Sequence, residues 1–111
     1  MIVRNINDIV AISTSHGCGQ KKVLLANDES RAPVTQIAIT RLAKGTSVEK
    51  HTHSTMEEYF FLLYGLLKVT VCGSETILTE GGFIQIEAGC EHTLEALTDC
   101  RLMTIGCAAG I

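Results

Sequence analysis

The sequence predicts an all-β fold, either a sandwich or a barrel, and two observations support this. Short runs rich in β-branched and aromatic residues follow one another, each ended by Gly, Asp, Asn or Ser. No stretch shows the period of apolar residues that an amphipathic helix requires. The predicted strands cover residues 23–26, 34–43, 59–64, 66–71, 76–79, 83–86, 92–97 and 101–107.

Three short segments are expected to connect these strands. Residues 13–20 are small, polar and rich in glycine, which predicts a loop. Gly65 lies between two apolar runs, and residues 72–74 read Cys-Gly-Ser. Both positions predict hairpin turns that make the flanking strands antiparallel neighbours.

Size and charge limit the functions that one such domain can carry. The 111 residues, 46% of them hydrophobic, fit a single domain spanning 1–111. The net charge is -3, from 9 basic and 12 acidic side chains scattered along the chain. Because no basic stripe exists, neither nucleic acid nor a membrane surface is an expected partner.

The location of the protein is predicted from what the sequence does not show. The N-terminus reaches polar residues too early for a secretory signal, and no apolar run is long enough to span a bilayer. Five cysteines form no CxxC pair and make an odd number, which is typical of reduced thiols. We therefore expect a cytoplasmic protein.

The candidate functional residues are a few histidines and carboxylates. His51 and His53 are two residues apart, so an extended strand would direct both imidazoles to one face. An acid, Glu57 or Glu58, begins one predicted strand, and His92 begins another. Three imidazoles and a carboxylate suit one divalent transition-metal ion, Fe, Mn, Ni, Cu or Zn, and suit calcium poorly.

The spacing around these residues resembles that of a known family. Residues 45–65 contain Gly, His, His, Glu and Gly at the intervals of the first motif of the cupin superfamily. Residues 81–96 match its second motif in part, with Glu87 where proline is usual and Ala96 where asparagine is common. The sequence is therefore similar to small single-domain cupins of the "cupin 2" type.

This resemblance implies a jelly-roll-like double-stranded β-barrel with one metal ion near its mouth. The implied ligands are His51, His53, Glu58 and His92; the motif selects Glu58 rather than Glu57 because only Glu58 leaves six residues before Gly65. The implied activities are those of dioxygenases, decarboxylases and isomerases, and small cupins of this kind are usually homodimers.

Strand alternation suggests which residues line the cavity. If Glu58 points into the barrel, alternation predicts that Phe60, Leu62 and Tyr64 do so too. If His92 points inward, the same rule predicts that Leu94 does. Gln36 and Thr40 are the preferred inward pair of their strand, and Cys90 is a further candidate wall residue. Such an apolar wall favours a small, neutral or weakly polar ligand.

No residue is assigned a catalytic role from the sequence. Glu57 and Tyr64 are the candidates for a general acid or base, although surface and wall positions explain them better. His16 lies in the glycine-rich loop with no partner in register, so we do not expect it at the metal.

Two questions stay open at this point. Besides a metalloenzyme, the sequence allows a non-catalytic barrel that binds or senses a small molecule, and an isomerase or epimerase of sugar phosphates or nucleotide sugars. The apolar residues within 1–12 could form a strand that covers the sheet edge of a second copy, or they could close their own barrel.

Overall fold

Ten strands form the protein in a computed structural model that describes residues 1–109. There are two single-turn 3-10 helices, Ile6–Asp8 before β1 and Asn27–Glu29 after β2. The strands are β1 (Ile12–Ser13), β2 (Gln20–Leu25), β3 (Val34–Leu42), β4 (Ser47–His51), β5 (Met56–Tyr64), β6 (Leu67–Val71), β7 (Ser74–Leu78), β8 (Phe83–Ile86), β9 (His92–Ala96) and β10 (Cys100–Ala108).

Two antiparallel sheets face each other and enclose the core, which confirms the all-β prediction. One sheet has the order β1-β2-β3-β10-β5-β8, and the other has the order β4-β9-β6-β7. Alternate residues of β6 and β9 are buried, as expected for strands with one face on a core. The core residues are Leu42, Val48, Phe60, Leu62, Leu67, Val69, Leu78, Ile86, Leu94, Ala96, Cys100 and Leu102.

One of the two predicted hairpins is confirmed and the other is wrong. Cys72 and Gly73, both with positive φ, turn the chain between the paired strands β6 and β7. Gly65 instead carries the chain from β5 in one sheet to β6 in the other. Its φ of +94° changes the direction of the chain, so the flanking strands are not neighbours.

The N-terminal segment packs beside β2 without forming a long strand. The Arg4 guanidinium pairs with the Glu29 carboxylate and donates to the Leu24 carbonyl at 2.7 Å. Within residues 1–12 only Ile12 belongs to a strand, because β1 pairs with β2 over two residues. Within the single chain residues 1–11 form no strand, and their expected contact with the sheet edge of a second copy stays a prediction.

Among residues 1–109, no helix has the length and apolar character needed to cross a membrane.

Gly65→Ala is expected to destabilise the protein far more than Gly73→Ala. Both glycines have positive φ, +94° and +82°, so each alanine carries a similar backbone strain of about 1–2 kcal/mol. A Cβ at position 65 would also collide with the Asp99 carbonyl oxygen, whereas a Cβ at position 73 meets nothing within 4 Å. We expect a total loss of roughly 3 kcal/mol or more for Gly65→Ala, measured by urea unfolding. Equal losses for the two variants would contradict this.

Candidate metal centre

The mouth of the barrel brings together side chains from both sheets. His51 ends β4 and His92 begins β9, and the two residues are paired across these strands. Glu58 projects from β5 in the opposite sheet. His53 lies just beyond the end of β4, where the Gly89 N–H donates to its carbonyl at 2.8 Å. The strand expected through His53 thus stops at His51, yet the two rings are only 5.0 Å apart.

Four possible ligand atoms converge at this mouth. One atom from each of His51, His53, Glu58 and His92 lies within 4.8 Å of the others. Glu58 Oε1 is 3.0 Å from His53 Nε2 and 3.2 Å from His92 Nε2. His92 is 1% exposed, Glu58 19% and His53 31%, so the cluster runs from the core toward solvent.

Backbone carbonyls orient two of the imidazoles. His51 Nδ1 donates to the Glu49 carbonyl at 2.8 Å, and His92 Nδ1 donates to the Cys90 carbonyl at 3.0 Å. With Nδ1 bonded to a carbonyl, Nε2 is the nitrogen of each ring that is left to bind a metal, which is the arrangement that metal-binding histidines use. In the metal-free protein His92 Nε2 hydrogen-bonds to Glu58 Oε1 at 3.2 Å, so a metal ion would replace the proton of this hydrogen bond.

The cluster shifts the pKa values of its members. Burial of Glu58 favours its neutral form, but the hydrogen bond with His92 and the nearby imidazoles together lower its pKa. Burial likewise opposes the charged form of His92, but hydrogen bonds with Glu58 and the Cys90 carbonyl raise its pKa. Burial, with the neighbouring imidazoles, lowers the pKa of His51. Without metal, Glu58 and His92 therefore each favour the charged form of the other.

The donor set fits a divalent transition metal. Ligand atoms bound to one ion at about 2.1 Å are at most about 4.2 Å apart, so the four atoms need only small shifts to share an ion. Imidazole nitrogens with one carboxylate oxygen are preferred by first-row transition metals. The site can hold such an ion.

Neither sequence candidate for an acid or base lies at this cluster. Glu57 is on the opposite face of β5 from Glu58, where Tyr59 and Gln85 donate to it at 2.6 and 3.1 Å and lower its pKa. Tyr64 is 56% exposed and lines a separate surface cavity with Arg41. The prediction that Tyr64 points inward is wrong, because the register of β5 against β10 shifts between Leu62 and Tyr64.

A cavity of about 100 Å³ extends from the cluster into the barrel. Gln36, Thr40, Phe60 and Leu94 lie in its wall together with His51 and Glu58. Leu62 also points inward, but it is completely buried in the core and does not line the cavity. The cavity adjoins a wider mouth of about 330 Å³.

Cys90 does not line this cavity. Its N–H donates to the Glu87 carbonyl at 3.2 Å, so the chain before His92 turns instead of running extended, and the alternation rule fails there. The neighbouring Cys72 thiol, together with burial, raises the pKa of Cys90. Cys90 contributes to the site through its carbonyl group.

Two residues at the cavity were missed by sequence reasoning. The His16 ring lies 4.3 Å from that of His51, centre to centre, at the edge of the mouth. Lys21 lines both the cavity and the mouth. The strand β2 begins at Gln20, three residues before the predicted start, so Lys21 was not considered as a strand residue. No motif marks His16, because its position depends on the fold of the 13–20 loop.

The protein is a two-sheet β-barrel, and three imidazoles and a carboxylate that could hold a metal ion lie at its mouth. It therefore belongs to the class of β-barrels with a possible metal site. The sequence comparison makes the assignment specific: residues 38–106 match the cupin domain family. This is more than half of the 111 residues, and the chain belongs to that family. No curated protein matches the sequence.

Solved structures show the same fold at low sequence identity. A Thermotoga maritima protein described as a predicted oxalate decarboxylase has a TM-score of 0.85 and 22% identity, covering 98% of this chain and 100% of that one. Ectoine synthase from P. lautus has a TM-score of 0.83 and 20% identity, covering 96% and 78%. The cupin domain of Schizosaccharomyces pombe Cnp3 has a TM-score of 0.80 and 11% identity, covering 97% and 74%.

In the metal-free protein, Glu58→Gln is expected to reduce stability most between about pH 4.5 and 6.5. The lowered pKa of Glu58 stabilises the fold above its ordinary value of 4.5, and this contribution disappears as the pH falls through the folded value. The raised pKa of His92 stabilises the fold below its ordinary value of 6.5, and this contribution disappears as the pH rises through the folded value. The free energy of unfolding, measured by urea titration, should fall by about 1 kcal/mol in this pH range.

Glu57→Gln is the matched control for this pH dependence. The pKa of Glu57 is lowered by hydrogen bonds from Tyr59 and Gln85 rather than by a histidine, so the loss caused by Glu57→Gln should not decline above pH 6.5. A Glu58→Gln loss that stays constant from pH 5 to 8 would show that the pair does not couple as described.

Proposed function

We propose that this protein is a metalloenzyme that acts on a small molecule at a mononuclear site of three histidines and one glutamate. The observation that carries the proposal is the convergence of four ligand atoms within 4.8 Å at the end of a cavity. Fe, Mn, Ni, Cu or Zn fits these ligands. When bound, such an ion supplies a Lewis acid with open coordination positions for a substrate.

Other groups of the protein orient the possible ligands and form an apolar wall beside them. The carbonyls of Glu49 and Cys90 orient two imidazoles, and Glu58 supplies a negative charge next to His53 and His92. The inner wall of the cavity is largely apolar, which limits the access of water to a bound molecule. Its apolar members are Leu42, Val48, Phe60, Leu94 and Leu102.

Two other functions are less well supported by the cavity. A sugar-phosphate or nucleotide-sugar isomerase needs room and several cations, whereas the inner cavity is about 100 Å³ and Lys21 is the basic side chain in its described wall. A non-catalytic binding barrel would also use this cavity. Turnover of a substrate distinguishes the enzyme from such a barrel, which would retain its ligand unchanged.

Metal content is the direct test of this proposal. Protein purified without a histidine tag or chelator should contain close to one equivalent of a transition metal by elemental mass spectrometry. His53→Ala should lower the content at least about tenfold, because one of four ligands is lost. Absence of metal after anaerobic reconstitution with each ion would overturn the proposal.

A pair of neighbouring carboxylates provides the matched control. Glu58→Gln removes the carboxylate that lies beside His53 and His92, whereas Glu57→Gln changes one on the outer face of the sheet. Metal content should fall in Glu58→Gln and stay at the wild-type level in Glu57→Gln. Equal loss in both variants would indicate a general effect on folding.

We further propose that the protein is a homodimer that covers the apolar N-terminal segment. Val3 and Val10 are 80% and 81% exposed, and Ile2 and Ile12 are about half exposed. The segment leads into β1, the edge strand of the larger sheet. Exposed apolar side chains at a sheet edge favour contact with a second copy.

Light scattering after size-exclusion chromatography is the test of the dimer. The mass should be twice the 12.0 kDa of the chain. Val3→Ser with Val10→Ser should shift the protein toward the single-chain mass. Ile77→Ser, which changes a side chain 56% exposed on the other sheet, should leave the mass unchanged. A single-chain mass for the wild type would contradict the proposal.

A further inference from the structure

The geometry points to a carboxylate-binding subsite at Lys21, so that the cavity takes a small organic acid with a second oxygen group able to reach the metal centre. This inference rests on the proposed function, because it names the class of substrate for the same site. It replaces the sequence-based expectation of a neutral or weakly polar ligand.

A hydrogen bond to Gln36 positions the Lys21 ammonium group. The backbone of Lys21 pairs with Thr40, but Nζ donates to Gln36 Oε1 at 3.1 Å, so the side chain runs along the sheet toward Gln36. Gln36 pairs with Gly106, and Gly106 pairs with Glu58. The ammonium group therefore reaches the row of residues that contains a metal-ligand candidate.

The distance between the two ends of this row limits the size of a ligand. Gln36 and Glu58 are two strands apart, which places their Cα atoms about 10 Å from each other. Their side chains occupy part of that distance from both ends. The remaining gap suits a molecule of a few heavy atoms, which agrees with a cavity of about 100 Å³, or roughly three water molecules in volume.

The charge of the Lys21 ammonium group determines which ligand it favours. Within residues 1–109, no carboxylate lies at ion-pair distance from Lys21. Its partner Gln36 is neutral. A partly buried ammonium group without an anionic partner favours an anionic ligand, and a charge-assisted hydrogen bond to a carboxylate would satisfy it.

The metal centre adds to this preference. A divalent ion with Glu58 as its one carboxylate ligand keeps a net positive charge, so positive groups would lie at both ends of the gap. Between them, Thr40 and Thr104 supply hydroxyl groups 3.4 Å apart. A small acid with carboxylate at the Lys21 end and a carboxylate, hydroxyl or carbonyl oxygen at the other end complements this arrangement.

Titration calorimetry with malonate as the probe tests this inference. Metal-loaded protein should bind malonate at least about tenfold more tightly than malonamide, which has a similar shape and no charge. Lys21→Met should weaken malonate binding roughly tenfold or more, and Lys21→Gln should do the same if the loss of charge is the cause. Lys22→Met is the control: Lys22 Nζ donates to the Ile6 carbonyl outside the cavity, so malonate binding should be unchanged.

Metal content and urea midpoints of the same samples separate the two proposals. If Lys21→Met folds, retains its metal and binds malonate as the wild type does, the subsite is wrong and the proposed function stands. Failure of the loaded wild type to bind malonate also overturns the subsite. If the wild type holds no metal, the proposed function fails, and the effect of Lys21→Met on malonate binding to the metal-free protein decides the subsite by itself.

Discussion

The pairing of β10 with both β3 and β5 is the constraint on which the rest of the structure depends. β10 lies between them in the larger sheet and is paired with each along its length. This fixed register sets the cavity wall residue Gln36 and the ligand candidate Glu58 in one row. A slip of one residue between β5 and β10 would turn Glu58 to the outer face, where Glu57 now lies.

The cluster of possible metal ligands also depends on the contact between the two sheets. Glu58 belongs to the larger sheet, whereas His51 and His92 belong to the smaller one. The hydrogen bond between Glu58 and His92 therefore joins the sheets at the barrel mouth. Packing of the core below this contact determines whether the ligand atoms meet, so substitutions in the core can alter the site without touching it.

The sequence predicted the parts of this protein that follow from local pattern and motif spacing. Most of the strands belong to this group because alternation specifies them, and the four clustered side chains follow from the motif spacing of the family that the sequence resembles. What failed depended on long-range geometry. Tyr64 was misplaced by a register shift in β5, and Gly65 was taken for a hairpin although it joins two sheets. Lys21 was missed because its role follows from the pairing of β2 with β3.

The hydrogen bond from the Gly89 N–H to the His53 carbonyl has a consequence for the energetics of the centre. It ties the connection between β4 and β5 to the turn before β9, and these two segments carry His53 and His92. Since folding has already fixed both segments, little conformational entropy is left for an ion to remove when it binds. The affinity of the cluster for a metal ion would then be governed by the ligands and by their competition with protons.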